Sequence, residues 1–212
     1  EAIMRWFAPV SLGLGVHWHH FGNPILPPIL DMGLQTQCGA LNSVLVYLPF
    51  ENTQHIIDLL KPFRDTTFIL HCGDLSPGRY GNVTVRGFSR EGFMSSLGDC
   101  GSVICNAGFQ LVSEALVAGK RILVKPLHGQ MEQSSNAAAL DQLGLAQVMM
   151  NVNPEAIAYF LATGEPQRVT YPNVAEAIVD WLHQYPNRPV TDLVTQLWQD
   201  VQFSSPRAVQ AA

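Results

Sequence analysis

From Leu41 onward the sequence predicts an α/β fold: a parallel sheet covered by helices on both faces. Three observations carry that reading. Apolar runs of strand length, at residues 44–48, 66–70, 102–105 and 121–124, are nearly continuous rather than alternating, as expected of strands buried on both sides. Segments with helical periodicity and recognisable caps lie between them. The turns that follow the later strands are small or polar, Asn106-Ala107-Gly108 in one case and residues 126–129 in the other.

Residues 1–40 differ from the rest of the chain, with few charges and much Gly and Pro. They carry Val16-His17-Trp18-His19-His20-Phe21 and then a proline-directed segment from Pro24. That composition predicts one or two short strands or loops and no complete βαβ unit. His17 and His19 would share a face of a strand. No Cys, Asp or Glu stands at a supporting spacing, so packing or cleft lining is favoured over a metal site.

The regular pattern then begins. Residues 44–48 read as the first strand, and residues 49–52 turn into a helix capped by Asn52 or Thr53, with Ile56, Ile57, Leu59 and Leu60 as its apolar stripe. Residues 66–70 read as the second strand, 76–82 as a Pro/Gly-rich loop, and 83–85 as a third short strand leading to Arg86-Gly87-Phe88-Ser89. Ser89 is placed to cap a helix over 90–97, with Glu91 favourable in its first turn.

The strand at 102–105 feeds a helix over 109–118, closed by Gly119, and the strand at 121–124 feeds a helix ending at Leu143 and closed by Gly144. A last strand is expected at 146–150. Asn153 then caps a helix over 154–162, with Pro154 at its first position. Residues 171–184 and 190–202 read as amphipathic helices, and 204–212 as a disordered tail.

At 212 residues the chain is long enough for one good-sized core. Its apolar share of 47% and charged share of 14% are those of a globular domain. The net charge of −5, with no basic run or stripe, excludes a nucleic-acid footprint. Cys38, Cys72, Cys100 and Cys105 include no C-x-x-C pair, which suits buried reduced thiols and a cytoplasmic protein. No apolar run approaches ~18 residues, so no membrane span is expected. Opening at Glu1 rather than Met, the chain is expected to be part of a longer product.

The candidate site lies on the two small turns, which open on the same edge of a parallel sheet. Gly108 has no Cβ, so a ligand can approach the backbone, and the helix start at Phe109 and Gln110 exposes N–H groups that attract anions. Glu114, about one turn further in, can accept both hydrogen bonds of a vicinal diol such as a ribose. Gln130, Glu132, Gln133 and Asn136, from the second turn, offer uncharged donors and acceptors and one carboxylate, which suits a sugar. Taken singly, each has a bland explanation: Asn-x-Gly turns are common, and an early-helix Glu is favoured by the dipole. Together they describe a nucleotide-sugar site.

Cys105-Asn106-Ala107-Gly108 with Glu114, then Pro126, Glu132-Gln133 and Asn136, resembles the donor-binding signature of GT-B glycosyltransferases. The chain is most similar to the family containing the peptidoglycan N-acetylglucosaminyltransferase and to a little-characterised prokaryotic group of glycosyltransferase-like proteins. The resemblance covers residues 41–150 and implies the carboxy-terminal, Rossmann-like half of a GT-B fold. It implies three parts: residues 1–40 as remnant and linker of a missing amino-terminal domain, 41–165 as the nucleotide-sugar domain, and 166–212 as carboxy-terminal helices and tail.

It implies that Glu114 holds the ribose, that the helix start Gly108, Phe109 and Gln110 holds the diphosphate, and that Glu132 and Gln133 meet the sugar, with Asn106, Ala107, Gln130 and Asn136 among the donor-binding residues. Phe88 and Ser89 match the position that cradles the base, the alternative being that Phe88 is simply core. Related transferases have a glycine-rich loop after the first strand. Here it reads Pro49-Phe50-Glu51-Asn52-Thr53, which leaves only the side chains of Asn52 and Thr53 to offer hydrogen bonds there. Trp181, Leu182, Leu193, Leu197 and Trp198 would let the carboxy-terminal helices pack back across the domain boundary, although an ordinary core contact explains them equally well.

The activity implied is inverting transfer from a nucleotide diphosphate sugar, a UDP-sugar by resemblance, to an unknown acceptor. No Asp-x-Asp is present, so no metal or other cofactor is expected, and a helix amino terminus would stabilise the leaving group. The catalytic base is expected in the missing domain, and this chain alone is expected not to turn over. Peripheral association with a membrane is compatible with this reading. Alternatives are a nucleotide-sugar 2-epimerase half and a non-catalytic nucleotide-sugar-binding module. Dehydrogenase and P-loop NTPase readings lack G-x-G-x-x-G and G-x-x-x-x-G-K-[ST].

Overall fold

The computed structural model describes residues 10, 12–31, 33 and 39–204. The expectations for Cys38, for residues 1–9 and for the tail beyond Ser204 fall outside them. In chain order the elements are β1 (Gly15–Val16), β2 (Ile25–Leu26), β3 (Ala40–Tyr47), α1 (Thr53–Leu60), β4 (Thr67–His71), β5 (Gly78–Tyr80), β6 (Val83–Arg86), α2 (Arg90–Asp99), β7 (Cys100–Asn106), α3 (Phe109–Val117), β8 (Arg121–Lys125) and α4 (Met131–Gln142). Then come β9 (Gln147–Val148), α5 (Pro154–Thr163), β10 (Val169–Thr170), α6 (Val174–Gln184), α7 (Val190–Gln199) and β11 (Gln202–Phe203).

Seven strands form one sheet in the order β5-β6-β4-β3-β7-β8-β9. All neighbours are parallel except β5 and β6. The chain therefore winds outward from β3 in one direction, through β4 and β6, and then returns to wind outward through β7, β8 and β9. β3 and β7 flank the switch point, where a crevice opens beyond the carboxyl ends of the strands.

Every residue of β7 is buried, as its central position requires. Val44, Val46, Ile57, Leu60, Phe68 and Phe160 belong to the main core. Removing a side chain of this size from water contributes about 1.5–3 kcal/mol.

The helix caps follow the sequence chemistry. Asn52 accepts from the His55 N–H at 2.9 Å, Ser89 from Gly92 at 3.2 Å, and Asn153 from Ala156 at 2.8 Å. Gly119 and Gly144 close α3 and α4 with φ of 69° and 65°, a left-handed conformation that disfavours side chains.

Several boundaries differ from expectation. The loop expected at 76–82 contains β5, whose pairing with β6 is antiparallel and made by backbone rather than by an apolar pattern. The strand expected at 146–150 is only Gln147–Val148. The helix expected over 171–184 begins at Val174, because Asn173 caps it by accepting from the Glu176 N–H. The helix expected to reach residue 202 ends at Gln199, and Gln202–Phe203 pairs with Val169–Thr170 instead.

The chain divides into two compact units, one drawn from Glu1–Leu30 and Tyr171–Val201, the other from Asp31–Thr170 and Gln202–Ala212. In the smaller unit Leu26 shares a core with Val174, Trp181, Leu193 and Leu197, and Trp198 donates from Nε1 to the Ile25 carbonyl at 2.7 Å. Leu182, expected in this contact, is exposed instead. His19 and His20 each accept a backbone N–H two residues on through Nδ1, and their rings stack 4.5 Å apart. Among the described residues no helix is long and apolar enough to cross a membrane.

Candidate functional site

The larger unit carries the site. β7 ends at Asn106, and α3 starts at Phe109 with Gly108 as its N-cap, a cap without a side chain. Gly108 has φ −75°, which any residue adopts, and a Cβ built there would meet nothing within 4 Å. Neither backbone conformation nor packing therefore calls for glycine at this position. Its effect is to leave the helix start open.

The two small turns are tied together. Asn106 donates from Nδ2 to the Lys125 carbonyl at the end of β8, at 3.0 Å. Asn136, one turn and more into α4, donates from Nδ2 to the Ala107 carbonyl at 3.0 Å. Gln133 turns back on its own loop and accepts the Leu127 N–H through Oε1 at 3.1 Å. Gln133 and Asn136 are thus buried and shape the turns, whereas Gln130 and Glu132 stand exposed at the start of α4.

On the other side of α3, Phe88, Ser89, Gln110 and Glu114 line one cleft of about 400 Å³ with Tyr47, Arg90, Phe93, Met94 and Leu111. Phe88 is 61% exposed, which excludes the alternative that it is core. Its ring meets Tyr47 edge-on at 6.3 Å. It also lies so close to Gly73 that a Cβ there would come within 2.8 Å of it. Gln110 donates to Glu114 Oε1 at 2.9 Å and fixes one carboxylate oxygen. A second hollow, of about 430 Å³, shares Arg90, Met94 and Glu114 with the cleft.

A buried network holds the loop that carries Phe88. His71, at the end of β4, bonds the Gly87 carbonyl through Nδ1 at 3.2 Å and Ser96 Oγ through Nε2 at 2.9 Å. Arg86 also donates to Ser96 Oγ, at 2.9 Å. Burial holds the His71 pKa below its usual value; the bond to the Gly87 carbonyl opposes this and the nearby Arg86 charge adds to it.

The β3 turn does not offer what was expected of it. Asn52 is spent on its cap, and Thr53 donates to Asp74 Oδ1 at 2.7 Å. That bond also holds the Asp74 carboxyl below its usual range. Sequence reasoning passed over Tyr47, Arg90 and Met94, which only the fold brings beside Phe88. It also passed over Glu51 and Lys125, an ion pair between two strand exits. A separate hollow of about 450 Å³ between β8, β9 and α5 shares no residue with the cleft.

A doubly wound sheet with an open helix start and a half-aromatic, half-polar cleft beside its switch point defines an α/β domain of the GT-B kind. The model of glycosyl transferase family 1 matches residues 21–163, and the chain belongs to that family. The fold is similar to that of the solved glycotransferase of kitacinnamycin, with TM-score 0.50 and 20% identity over 65% of this chain and 40% of that one. It is also similar to MurG of Acinetobacter baumannii, with TM-score 0.50 and 16% identity over 70% of this chain and 49% of that one. The chain thus spans half or less of the length of either structure. A search of curated proteins finds no match to the sequence.

Proposed function

We propose that this chain is the donor-binding half of an inverting, metal-independent glycosyltransferase that uses a nucleotide diphosphate sugar, a UDP-sugar in the first instance. One observation carries the reading. Residues from three separate elements, Tyr47 of β3, Phe88 and Ser89 before α2, and Gln110 and Glu114 on α3, line one cleft, and α3 itself begins at the open position Gly108.

In this reading the base lies against Phe88, and Glu114, oriented by Gln110, accepts the ribose hydroxyls. The diphosphate meets the N–H groups of the α3 start, where the helix dipole favours negative charge. Gln130 and Glu132 face the sugar. Gln133 fixes its loop with its oxygen and keeps its amide N–H groups for the ligand. In the transfer step the acceptor oxygen bonds to the anomeric carbon while the bond from that carbon to the phosphate oxygen breaks. The electron pair leaves with the diphosphate, and preorganised donors stabilise it without a cation bridge.

The base that removes the acceptor proton, and the acceptor site, belong in this reading to a second domain. Free thiols at Cys72, Cys100 and Cys105 support a cytoplasmic setting. Titration calorimetry of the chain against nucleoside diphosphates and their sugars tests the proposal. Binding of uridine diphosphate with added affinity for one of its sugars supports it. A chain that binds no nucleotide at all overturns it.

A further inference from the structure

The donor reading leaves an ion pair at the sheet edge unexplained. Lys125, the last residue of β8, is bridged to Glu51 in the turn after β3, with side chains only 11% and 23% exposed. β7 lies between those two strands in the sheet. The pair therefore spans the exit of β7, where the chain passes through Asn106 and Gly108 into α3.

Two observations mark this spot as built for a ligand. Asn106 is 7% exposed, and its Oδ1 is buried without a hydrogen-bond partner although its Nδ2 is bonded. An orphaned buried oxygen costs free energy that a folded chain ordinarily avoids. Two residues on, Gly108 leaves open space where a side chain would fit. Lys125 is the register partner of Asn106, so its side chain leaves the sheet on the same face as that of Asn106.

We propose that Lys125 is the cation that meets the donor diphosphate, and that Glu51 is its resident counter-ion, displaced when the diphosphate binds. The proposal rests on the donor-site reading above and adds to it a named charge. A helix terminus supplies only about half a unit of positive charge. The leaving diphosphate gains a full negative charge as the bond to the anomeric carbon breaks, and an ammonium answers it directly. Once released from Glu51, Lys125 has three N–H donors, enough to serve a phosphate oxygen and the orphaned Asn106 Oδ1 together. Glu51 also explains how a cation can be stored at a half-buried position without ligand, since an unpaired charge there would be costly.

The test compares uridine diphosphate with uridine as probes on the full chain, by calorimetry at low and moderate salt. Lys125→Met is expected to weaken uridine diphosphate by about tenfold, the scale of one charged hydrogen bond, and to flatten its salt dependence. Glu51→Gln is expected to tighten it, because a competitor for Lys125 is gone. Uridine should bind all three proteins alike. Thermal unfolding of each variant separates these effects from loss of fold. If Glu51→Gln leaves uridine diphosphate unchanged or weakens it in a folded protein, the pair is a structural clasp and the proposal falls alone. If the wild-type chain binds neither probe, the donor reading falls with it.

Discussion

Asn136 on α4 donates its side-chain amide to the Ala107 carbonyl, 29 residues earlier in the chain, at a distance of 3.0 Å. The helix after β8 thereby clamps the turn after β7, and the geometry of the helix start proposed for the diphosphate depends on a residue that need not touch that group. Replacing it by Leu keeps the volume and leaves a buried carbonyl unpaired. Asn136→Leu should therefore lower stability in urea by about 1–3 kcal/mol. It should also weaken uridine diphosphate more than uridine, since the displaced turn is the one at the phosphate end.

Glu114 is predicted to act on the nucleoside part alone. Its carboxylate is half-buried, held by Gln110, and lines the cleft beside Phe88. Glu114→Ala should weaken a uridine nucleotide by about 1–3 kcal/mol, the scale of charged hydrogen bonds. A 2′,3′-dideoxy analogue should bind wild type and variant equally. Wild-type affinity in the variant would remove the ribose assignment.

Much of this arrangement is legible in the sequence, for physical reasons that differ by element. β7 and β8 are read easily because a central parallel strand must be apolar on both faces, and α3 and α4 because glycine closes each with a positive φ. The pairing of β5 with β6 is not legible, since it rests on backbone hydrogen bonds in a Gly-rich stretch. At the site, Glu114 and Phe88 stand out by residue type and position relative to a strand end. Tyr47 does not, because an aromatic residue at the end of an apolar strand looks like core until the neighbouring loop is placed. Glu51 and Lys125 lie 74 residues apart, and only the strand order puts them on either side of β7. Gln133 and Asn136 are found by pattern, but their bonds to Leu127 and Ala107 depend on the turn conformation.

Gln133 should distinguish the sugar from the diphosphate. With its oxygen engaged by the Leu127 N–H, only its amide N–H groups remain for a ligand, and they lie at the second turn. Gln133→Ala is expected to cost a uridine diphosphate sugar about 1 kcal/mol more than bare uridine diphosphate, the net scale of one neutral hydrogen bond. Equal losses for both ligands would contradict a role toward the sugar.

Phe88 should matter for binding and hardly at all for folding. A side chain 61% exposed has little burial to lose, so Phe88→Ala should change stability by no more than about 0.5 kcal/mol. Loss of a stacking face should weaken nucleoside binding by about 1–3 kcal/mol. Gly73 provides an independent check. A methyl group there would come within 2.8 Å of the Phe88 ring, so Gly73→Ala should push the ring aside and reproduce part of the binding loss with Phe88 intact.

His71 gives the fold a pH dependence whose sign follows from its surroundings. Burial is the largest influence and holds its pKa in the folded chain below 6.5, with the Arg86 charge adding to the effect and the bond to Gly87 opposing it. Above pH 6.5 the ring is neutral in folded and unfolded chains alike. As the pH falls below 6.5, the unfolded chain takes up the proton first, so stability is lost until the pH passes below the folded pKa. Nδ1 carries a proton to the Gly87 carbonyl, while Ser96 Oγ, which faces Nε2, donates its own proton to the Gly92 carbonyl at 2.8 Å. Protonation places a second cation beside Arg86. His17 and His19 are also held low, by burial first and by a neighbouring histidine second, so the whole-protein curve contains their slopes as well. The difference between wild type and His71→Gln isolates this contribution: urea unfolding from pH 7.5 down to 5 should show wild type losing stability faster than the variant. Because the same network holds Gly87, uridine affinity in wild type should fall only as the pH passes through the lowered folded-state pKa. A histidine resonance titrating at or above 6.5 for His71 would contradict the assignment.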